Sequence, residues 1–564
     1  MIKPTRILSC AAVLSALCLA ACDEEYDLSK DINTDIQIGN QFRIPAGRTD
    51  TIYVSRIIEE SETLTENNGI YEVSSKGNTV THIDPFDEVE IHNFTPELEN
   101  VRIDIPQRGS VPSGTVVDTE QLKSSGNYGI DEELPQEVVE LYCADFKGGT
   151  APTYLKLSVN ALPEGVESVT LSDLVMTFPD FIHLTDGSNQ FHIDQVELDA
   201  TNLSSTYTIN VEMLELGHDE QERYIINGAN GRKHLVINDA LEITANTSMT
   251  LGGNISAQYV EVIFEYYMDS ETTNFNSIAG LFTTTANISS NIAINDIPDF
   301  LRNENTQLSP QEVYVYLDLD NTVNVSGNLS LDMTSTSTTQ SGQASASIEV
   351  EPATMNNILI SNFNASVPGY TTVEEPSLAN LFQFVPDNIS IASDDLVFTS
   401  TDNSQMIELG RGYDITADYR AVVPFKFNNL NIEYTDTIDN LLSDLEDVAD
   451  KTDRLIARGV GVTNIPTDLV ASVKLYDIYG NELNGIDVDL SKFRLTAAPD
   501  GGESTNEMEM ILTEREGSDD FERLEEIVFT INAATTENIT LRPSQYLVIK
   551  DIFIEIPDGI KLTL

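Results

Sequence analysis

Two pairs of carboxylates are the residues whose type and spacing could most simply do chemistry. Asp318 and Asp320 in YLDLDN, and Asp487 and Asp489 in GIDVDL, are spaced i, i+2. In a strand this spacing puts both carboxylates on one face, where they either face solvent or hold a hard cation weakly. Neither pair is followed by the glycine and distal glutamate of an EF-hand-like loop. We therefore expect no cofactor, with weak calcium binding as the remaining option.

Cysteine and histidine offer little further chemistry. Cys143 lies in the apolar run VVELYCADF, which is typical of a buried thiol rather than a nucleophile. His183 and His192 flank the turn-forming pair Asp186-Gly187 and could face each other across a hairpin, although two histidines alone favour a surface pair over a metal site. No H-E-x-x-H motif, nucleophile elbow, Walker loop or dinucleotide fingerprint occurs. The sequence predicts no catalytic residue and no metal site.

The charge balance excludes some classes of partner. The chain has 92 acidic and 30 basic residues, a formal net charge of −62. Such a field repels nucleic-acid phosphates and anionic lipid headgroups, so we expect no nucleic-acid binding and no membrane attachment through a basic patch. Hydrophobic residues make up 40 % of the chain, enough to bury a core, unlike a disordered acidic tail.

The first residues have the pattern of a secretory leader. Lys3 and Arg6 provide a positive start, residues 7–21 carry no charge, and small residues end the run. The apolar run is shorter than the roughly 20 residues that span a bilayer. The pattern favours a cleaved signal peptide over residues 1–21, the alternative being a membrane-anchoring helix.

The end of this leader, Leu19-Ala20-Ala21-Cys22, resembles a bacterial lipobox. The resemblance implies cleavage before Cys22, palmitate-type acylation of its thiol, and a membrane partner held through the acyl chains. Asp23, Glu24 and Glu25 follow and resemble the acidic export signal of Bacteroidetes surface lipoproteins, which implies the outer face of the outer membrane. The alternative is a solvated tether, with the protein on the periplasmic side. The similarity to uncharacterised Bacteroidetes lipoproteins covers about the first forty residues and implies no activity.

Alternating apolar and polar residues dominate the chain from about residue 50 onwards. Clear examples are TYTINVEMLEL (206–216) and YLVIKDIFIEI (546–556). Such runs, separated by glycine-containing turns, form antiparallel sheets with one solvated face. We predict a mostly-β fold of several antiparallel sandwich-like or elongated-sheet modules in tandem. The Ser/Thr-rich segment 334–347 is predicted as a hairpin that turns at Ser341-Gly342, the alternative being a linker.

One segment has a helical period instead. Residues 437–458 place apolar side chains at i, i+3 and i+4, with acids in the first half and basic residues in the second. Gly459 follows as a natural stop. We predict an amphipathic helix here, packed on a sheet of its own domain, the alternative being a partner-binding helix.

Internal similarity is the strongest signal after the lipobox. DLVMTFPDFIHL (173–184) matches DIFIEIPDGIKL (551–562), and LPEGVESVTLSDL (162–174) matches IPTDLVASVKLYDI (465–478). We interpret the shared Pro-Asp as a turn that ends a strand rather than as metal ligation.

The chain is accordingly predicted to divide into five parts. These are a signal peptide (1–21), a lipidated N-terminus with an acidic tether (22–48), an N-terminal β domain (49–150) and two larger β modules (151–352 and 353–564). The second large module would distantly repeat the first.

These features favour a lipid-anchored surface protein that acts as a non-catalytic structural, adhesive or binding component. One alternative is an accessory glycan-binding lipoprotein of a nutrient-uptake system. Another, with less support, is an extracellular polysaccharide or protein hydrolase, for which the sequence cannot single out a carboxylate pair. The chain has no Trp to stack on sugars, but its 20 Tyr could do so. The expected ligand is a glycan or a protein at the cell surface.

Overall fold

The computed structural model describes residues 42–217, 221–229, 231–295, 297–439, 441, 452–499, 502–535 and 538–557. The predicted lipidation site Cys22 and the export signal Asp23, Glu24 and Glu25 lie outside these residues. Strands dominate the described chain, and they pair antiparallel with one exception, so the mostly-β prediction is confirmed. The described helices are single turns or short 3-10 segments: α1 (Val54–Ile57), α2 (Gln221–Tyr224), Asp299–Arg302, Pro376–Phe382 and Phe521–Arg523.

The strands follow the alternation seen in the sequence. The first half of the chain contains β1 (Phe42–Gly47), β2 (Ile52–Tyr53), β3 (Leu64–Asn67), β4 (Ile70–Ile83), β5 (Glu90–His92), β6 (Val101–Asp104), β7 (Gly109–Asp118), β8 (Leu122–Asn127), β9 (Ile130–Glu133), β10 (Val138–Phe146), β11 (Ala151–Ser158), β12 (Val166–Thr177), β13 (Ile182–Leu184), β14 (Gln190–Asp199), β15 (Ser204–Glu215), β16 (Ile225–Asn227), β17 (Lys233–Ile237), β18 (Ala240–Ile255), β19 (Tyr259–Tyr267) and β20 (Thr272–Ala293). The second half contains β21 (Gln307–Pro310), β22 (Tyr314–Asn321), β23 (Ser326–Thr336), β24 (Ser341–Val350), β25 (Thr354–Ser361), β26 (Thr371–Glu374), β27 (Asn388–Thr399), β28 (Ile407–Glu408), β29 (Tyr413–Pro424), β30 (Lys426–Ile438), β31 (Arg454–Thr463), β32 (Asp468–Tyr476), β33 (Ile486–Asp489), β34 (Arg494–Leu495), β35 (Ser504–Glu514), β36 (Glu526–Thr535), β37 (Ile539–Thr540) and β38 (Tyr546–Ile556).

Most of these strands build three sandwiches, which we number first, second and third. In the first sandwich, the strands β6-β19-β11-β15-β10 face the sheet β14-β12-β18-β7. Phe178, directly after β12, meets Tyr266 of β19 with ring centroids 6.0 Å apart. A small sheet, β16-β17-β9, stands beside these two. Aromatic pairs prefer this edge-on geometry. The contact between the rings therefore helps to hold the two layers together.

The 22-residue strand β20 continues from the first sandwich into the second. Its first part pairs with β10 and its second part with β27. The second sandwich places β24-β23-β27-β20 against β26-β25-β22-β29-β4-β3. Ser290 of β20 and Tyr419 of β29 share a hydrogen bond between the layers.

The third sandwich contains both the first and the last described strands. Its layers are β21-β30-β36-β32-β34 and β1-β38-β31-β35-β33. Ile438 and Leu475 from one layer share a buried core with Met510 and Leu512 from the other. Burial of these side chains supplies the main driving force for closing the layers.

The three sandwiches are nested along the chain rather than consecutive. The chain starts in the third with β1 and β2, gives β3 and β4 to the second, builds the first, and then returns through the second to the third. The predicted borders at 150/151 and 352/353 therefore fall inside sandwiches: the first separates β10 from β11 of one sheet, and the second separates β24 from β25. Alternation predicts which residues form strands but does not specify a strand's partner.

The helix predicted over 437–458 is wrong at both of its described ends. Thr437 and Ile438 end β30, whereas residues 454–458 begin β31 and pair with β35 and β38. Residues 440 and 442–451, the centre of the prediction, lie outside the described residues, and Leu441 between them is helical. Leu455 and Ile456 suit a buried strand as well as the apolar face of a helix. Pairing with strands that are distant in the chain therefore decided the conformation of these ends.

The repeated segments share a backbone feature. Asp173 and Asp551, the first residues of the first matching pair, have φ values of 49° and 50°, and each lies at an irregularity in its ladder. Few non-glycine residues adopt such values, and here they mark β-bulges. The second matching pair aligns β12 with β32, whereas the first aligns the end of β12 with β38. Duplication of a single module therefore does not explain both pairs. The predicted Pro-Asp turn is present at Pro179, whose carbonyl accepts a bond from Ile182 N at 3.0 Å.

The Ser/Thr-rich segment 334–347 forms the predicted hairpin rather than a linker. β23 and β24 pair from Gly327–Val350 to Thr336–Ser341. The turn comes slightly earlier than predicted, where Ser337 N donates to Gln340 O at 2.9 Å. Ser341 and Gly342 already belong to the returning strand.

Candidate ligand-binding cleft

The outer face of the second sandwich concentrates aromatic and charged side chains. β22 reads YVYLDLDN, and its alternation turns Val315, Leu317 and Leu319 into the core. Tyr314, Tyr316, Asp318 and Asp320 consequently form the outward row.

The tyrosines of this row form an ordered aromatic group. The rings of Tyr314 and Tyr316 are 6.2 Å apart and within 16° of parallel. Phe363 meets Tyr314 edge-on at 5.5 Å, and Tyr370 meets Tyr316 edge-on at 5.2 Å. The guanidinium carbon of Arg420 lies 4.3 Å from the centroid of Tyr316, a cation–π contact. These contacts hold the rings in fixed orientations.

A loop brings Tyr370 to this face. β25 ends at Ser361, and the chain turns back so that β26 runs parallel to β25. Tyr370 directly precedes β26, and its N–H donates to Val367 O at 3.2 Å. The result is an open cleft of about 520 Å³, which we call the tyrosine cleft. Its lining residues are Lys76, Gly77, Asn78, Tyr316, Asp318, Tyr370, Asp418, Tyr419 and Arg420.

Charges of both signs line the tyrosine cleft. Asp318 lies opposite Asp418 in the register of β22 and β29, and Arg420 lies opposite Lys76 on β4. Within the described part of the chain, the buried Oδ1 of Asp318 has no hydrogen-bond partner. Burial, followed by the neighbouring Asp318 carboxylate, raises the pKa of the Tyr370 hydroxyl. The cleft thus offers an unsatisfied acceptor, cationic donors and aromatic faces together.

A glycine fixes the sheet under the cleft. Gly77 of β4 pairs with Tyr419 of β29, and a Cβ at position 77 would come within 2.3 Å of the Tyr419 hydroxyl oxygen. Only glycine leaves room for this ring, whose hydroxyl bonds to Ser290 of the opposite layer.

The two carboxylate pairs noted in the sequence lie in different environments. Asp318 enters the tyrosine cleft, whereas Asp320 lies one pair further along, opposite Thr416. Asp487 pairs with Arg515, with Nε and Nη2 at 2.9 and 2.5 Å, and Asp489 caps Ser491 N at 2.8 Å. Among the described residues, no group of three or more His, Cys, Asp or Glu side chains could hold a metal ion. Weak calcium binding stays a prediction.

Cys143 is buried in β10. Burial first, and then Glu215 and Asp145, raise the pKa of its thiol to about 12. Because the thiolate is the nucleophilic form, this side chain is unsuited to covalent catalysis at neutral pH.

The hairpin predicted to bring His183 opposite His192 does not form. His183 in β13 pairs with Met213, and its Nε2 lies 3.3 Å from Oε2 of Glu215. His192 is on β14 in the other layer of the first sandwich, opposite Val175. The chain crosses between layers at this turn, so the two histidines belong to different sheets.

Sequence reasoning missed most of the tyrosine cleft. Its residues come from β4, β22, β29 and the loop before β26, which are far apart in the chain. The YVY motif on an alternating strand was the available signal, because i, i+2 tyrosines share a face.

Comparisons with known proteins do not identify the chain. No protein-family model and no curated protein matches it. A Parabacteroides distasonis protein provisionally described as secreted aligns at 13 % identity over 50 % of this chain and 89 % of its own, with a TM-score of 0.35. The VP2 subviral particle of infectious bursal disease virus aligns at 10 % identity over 87 % of this chain and 82 % of that one, with a TM-score of 0.13. These TM-scores support no argument about fold or function.

No helix in the described ranges has the length and apolar character needed to cross a membrane.

Proposed function

We propose that this protein is a non-catalytic, lipid-anchored surface component that binds a carbohydrate in the tyrosine cleft. The observation that carries the proposal is that Tyr316 and Tyr370 line an open cleft with their rings edge-on at 5.2 Å, while Tyr314 stacks nearly parallel to Tyr316 beside the cleft. Aromatic rings pack against the apolar faces of sugar rings, while a few placed polar groups fix orientation.

The polar groups of the cleft suit sugar hydroxyls. The Asp318 and Asp418 carboxylates accept hydrogen bonds, and Lys76, Asn78 and Arg420 donate them. Sugar hydroxyls would form charge-assisted hydrogen bonds with these groups, which are about twice as strong as neutral ones and would fix the orientation of the ligand. The overall charge of −62 disfavours a polyanionic glycan.

Anchoring and location form the second part of the proposal. The lipobox supports acylation at Cys22, and the acidic residues 23–25 support the outer membrane with the protein facing the exterior. Mass spectrometry of the native protein would detect the acyl chains, and protease treatment of intact cells would distinguish the exterior from the periplasmic face. An unmodified Cys22 thiol would contradict the anchor without affecting the cleft.

The binding test uses the mature chain without its acylated cysteine, residues 23–564. A glycan array followed by calorimetric titration should identify a neutral carbohydrate whose affinity falls at least about tenfold in Tyr316→Ala, the loss expected for a buried aromatic contact. The matched control is Tyr267→Ala, because Tyr154 and Tyr267 stack at 5.4 Å on the outer face of the first sandwich. Equal losses in both variants, or no ligand, would contradict the proposal.

A hydrolase is the second candidate, because Asp318 and Asp418 face each other in this cleft. Paired carboxylates flanking a sugar are the usual machinery of glycoside hydrolysis. Release of reducing ends from the glycan found above, abolished in Asp318→Asn, would favour the hydrolase over simple binding.

A further inference from the structure

Beyond the tyrosine cleft, the outer face of the second sandwich continues along the same strands. Its outward side chains form three rows that each cross β22, β29 and β4, and successive rows are two residues apart along each strand. The rows are Tyr316, Arg420 and Lys76, then Asp318, Asp418 and Asn78, and then Asp320, Thr416 and Val80. The first two rows line the tyrosine cleft, and the third, which we call the Asp320 row, lies beside the cleft. The surface of the cleft is thus continuous with a third row of outward side chains.

The Asp320 row has apolar side chains on both of its flanks. Val80 on β4 is 62 % exposed, and Met355, which pairs with Asp320 from β25, is 53 % exposed. Their exposure adds nothing to the core, because the neighbouring Thr81 and Asn356 take the buried positions of these strands. Apolar surface beside a few placed polar groups suits a ligand that has both kinds of surface, such as a sugar ring.

The polar side chains of the second and third rows are available to a ligand. Within the described chain, no hydrogen bond or ion pair is made by the side chains of Asp418, Asn78, Asp320 and Thr416. On the outer face of the first sandwich, by contrast, Lys156 Nζ lies 2.5 Å from Glu265 Oε2 in an ion pair. Sugar hydroxyls both donate and accept hydrogen bonds, so they can bond to carboxylate, amide and hydroxyl groups alike.

The length of this surface sets the length of its ligand. The next row consists of Asp414 and His82, whose Oδ1 and Nδ1 lie 2.9 Å apart, so these two side chains already bond to each other. Rows two residues apart are separated by about 7 Å, and the three preceding rows therefore span roughly 14 Å. One such step is comparable with the length of one sugar ring in a chain. Three rows consequently suit three consecutive rings.

We propose that the tyrosine cleft and the Asp320 row together bind a linear, neutral oligosaccharide of at least three sugar units, which lies along β22 and β29. This inference rests on the proposed function and specifies its ligand as a chain rather than a single terminal sugar. The first unit packs on Tyr316, and the second bonds to the carboxylates of the middle row. The third unit bonds to Asp320 and Thr416, between the apolar flanks formed by Val80 and Met355.

The test begins with an array of neutral oligosaccharides of one to six units, built from glucose, mannose, galactose or xylose in α and β linkages. The series that binds residues 23–564 best is then titrated by calorimetry. Affinity should rise at least about tenfold from the two-unit to the three-unit member, the effect of one added hydrogen bond to a charged group. Longer members should gain little more.

Substitutions in the Asp320 row should affect only the longer ligands. Asp320→Ala should reduce the affinity for the three-unit member about tenfold without changing that for the two-unit member, because only the third unit reaches this row. The matched control is Asp332→Ala, since Asp332 is exposed on β23 in the opposite layer of the same sandwich. Circular dichroism would confirm that both variants fold.

The apolar flank is tested in the same way. Val80→Ser should weaken binding of the three-unit member about threefold, a smaller effect because the side chain stays partly solvated. Val116→Ser is its control, because Val116 is 65 % exposed on β7 of the first sandwich. This variant should bind both members normally.

The outcomes separate this inference from the proposed function. Equal affinity for the two-unit and six-unit members, together with a loss in Tyr316→Ala, would overturn the extended site and leave the tyrosine cleft as a carbohydrate site. Equal effects of Asp320→Ala and Asp332→Ala would also overturn the extended site. Absence of binding to every oligosaccharide on the array would contradict both proposals.

Discussion

Asp318 and Asp418 lie directly opposite each other on β22 and β29, and both side chains line the tyrosine cleft. Like charges at directly opposed positions destabilise a sheet. The neighbouring Lys76 and Arg420 offset part of this cost, but the buried Oδ1 of Asp318 still lacks a partner among the described residues. The carbohydrate that we propose as ligand would supply hydroxyl donors to this oxygen and so offset the remaining cost.

Replacing one of these carboxylates should separate stability from binding. In Asp418→Asn the repulsion disappears, so the free energy of unfolding should rise by roughly 0.2–1 kcal/mol. Carbohydrate affinity should fall, because a charged acceptor is lost. Urea unfolding and calorimetric titration measure the two effects. A variant that is less stable and binds normally would contradict this account of the cleft.

Gly77→Ala should destabilise the sheet under the cleft. The added Cβ would overlap the Tyr419 ring, and such overpacking typically costs about 1–3 kcal/mol. Gly129→Ala is the matched control, because a Cβ there meets no atom within 4 Å. Thermal or urea unfolding of both variants checks the prediction, which fails if the two substitutions have equal effects.

Several tyrosines should resist ionisation at high pH. Burial first, and then nearby carboxylates, raise the pKa values of Tyr71, Tyr142 and Tyr314 to about 12. A group whose pKa is raised in the folded state stabilises the fold below its unfolded pKa of 10.0, and this contribution is lost as the pH rises towards 12. Spectrophotometric titration should therefore show exposed tyrosines ionising near pH 10 and a second set ionising later, as stability falls. A single transition near pH 10 with the fold intact would be inconsistent with this burial.

Cys143 should be unreactive in the native protein. In residues 23–564 it is the sole cysteine, and its thiol is buried with a pKa of about 12. Iodoacetamide at pH 8 should leave it unmodified and should alkylate it fully after unfolding in urea. Mass spectrometry reads out the modification, and rapid labelling of the folded chain would argue against this burial.

The sequence determined the local structure of this protein to a large extent. The alternation in YVYLDLDN specified which side chains of β22 are buried, and the apolar context of Cys143 specified its burial, because a strand exposes alternate residues to opposite environments. The internal match correctly paired Asp173 with Asp551, and both have the same rare backbone conformation.

Tertiary structure alone decided which strands meet. Pairing of β4 with β29 joins residues more than 300 positions apart and thereby brings Lys76 beside Arg420 and Tyr316 in one cleft. Strand pairing also nested the sandwiches across the predicted borders. Pairing of β31 with β35 and β38 placed Leu455 and Ile456 in a sheet instead of a helix. The physical reason is that backbone hydrogen bonds between strands are nearly independent of side-chain type, so partner choice depends on the burial of whole layers and not on any local pattern.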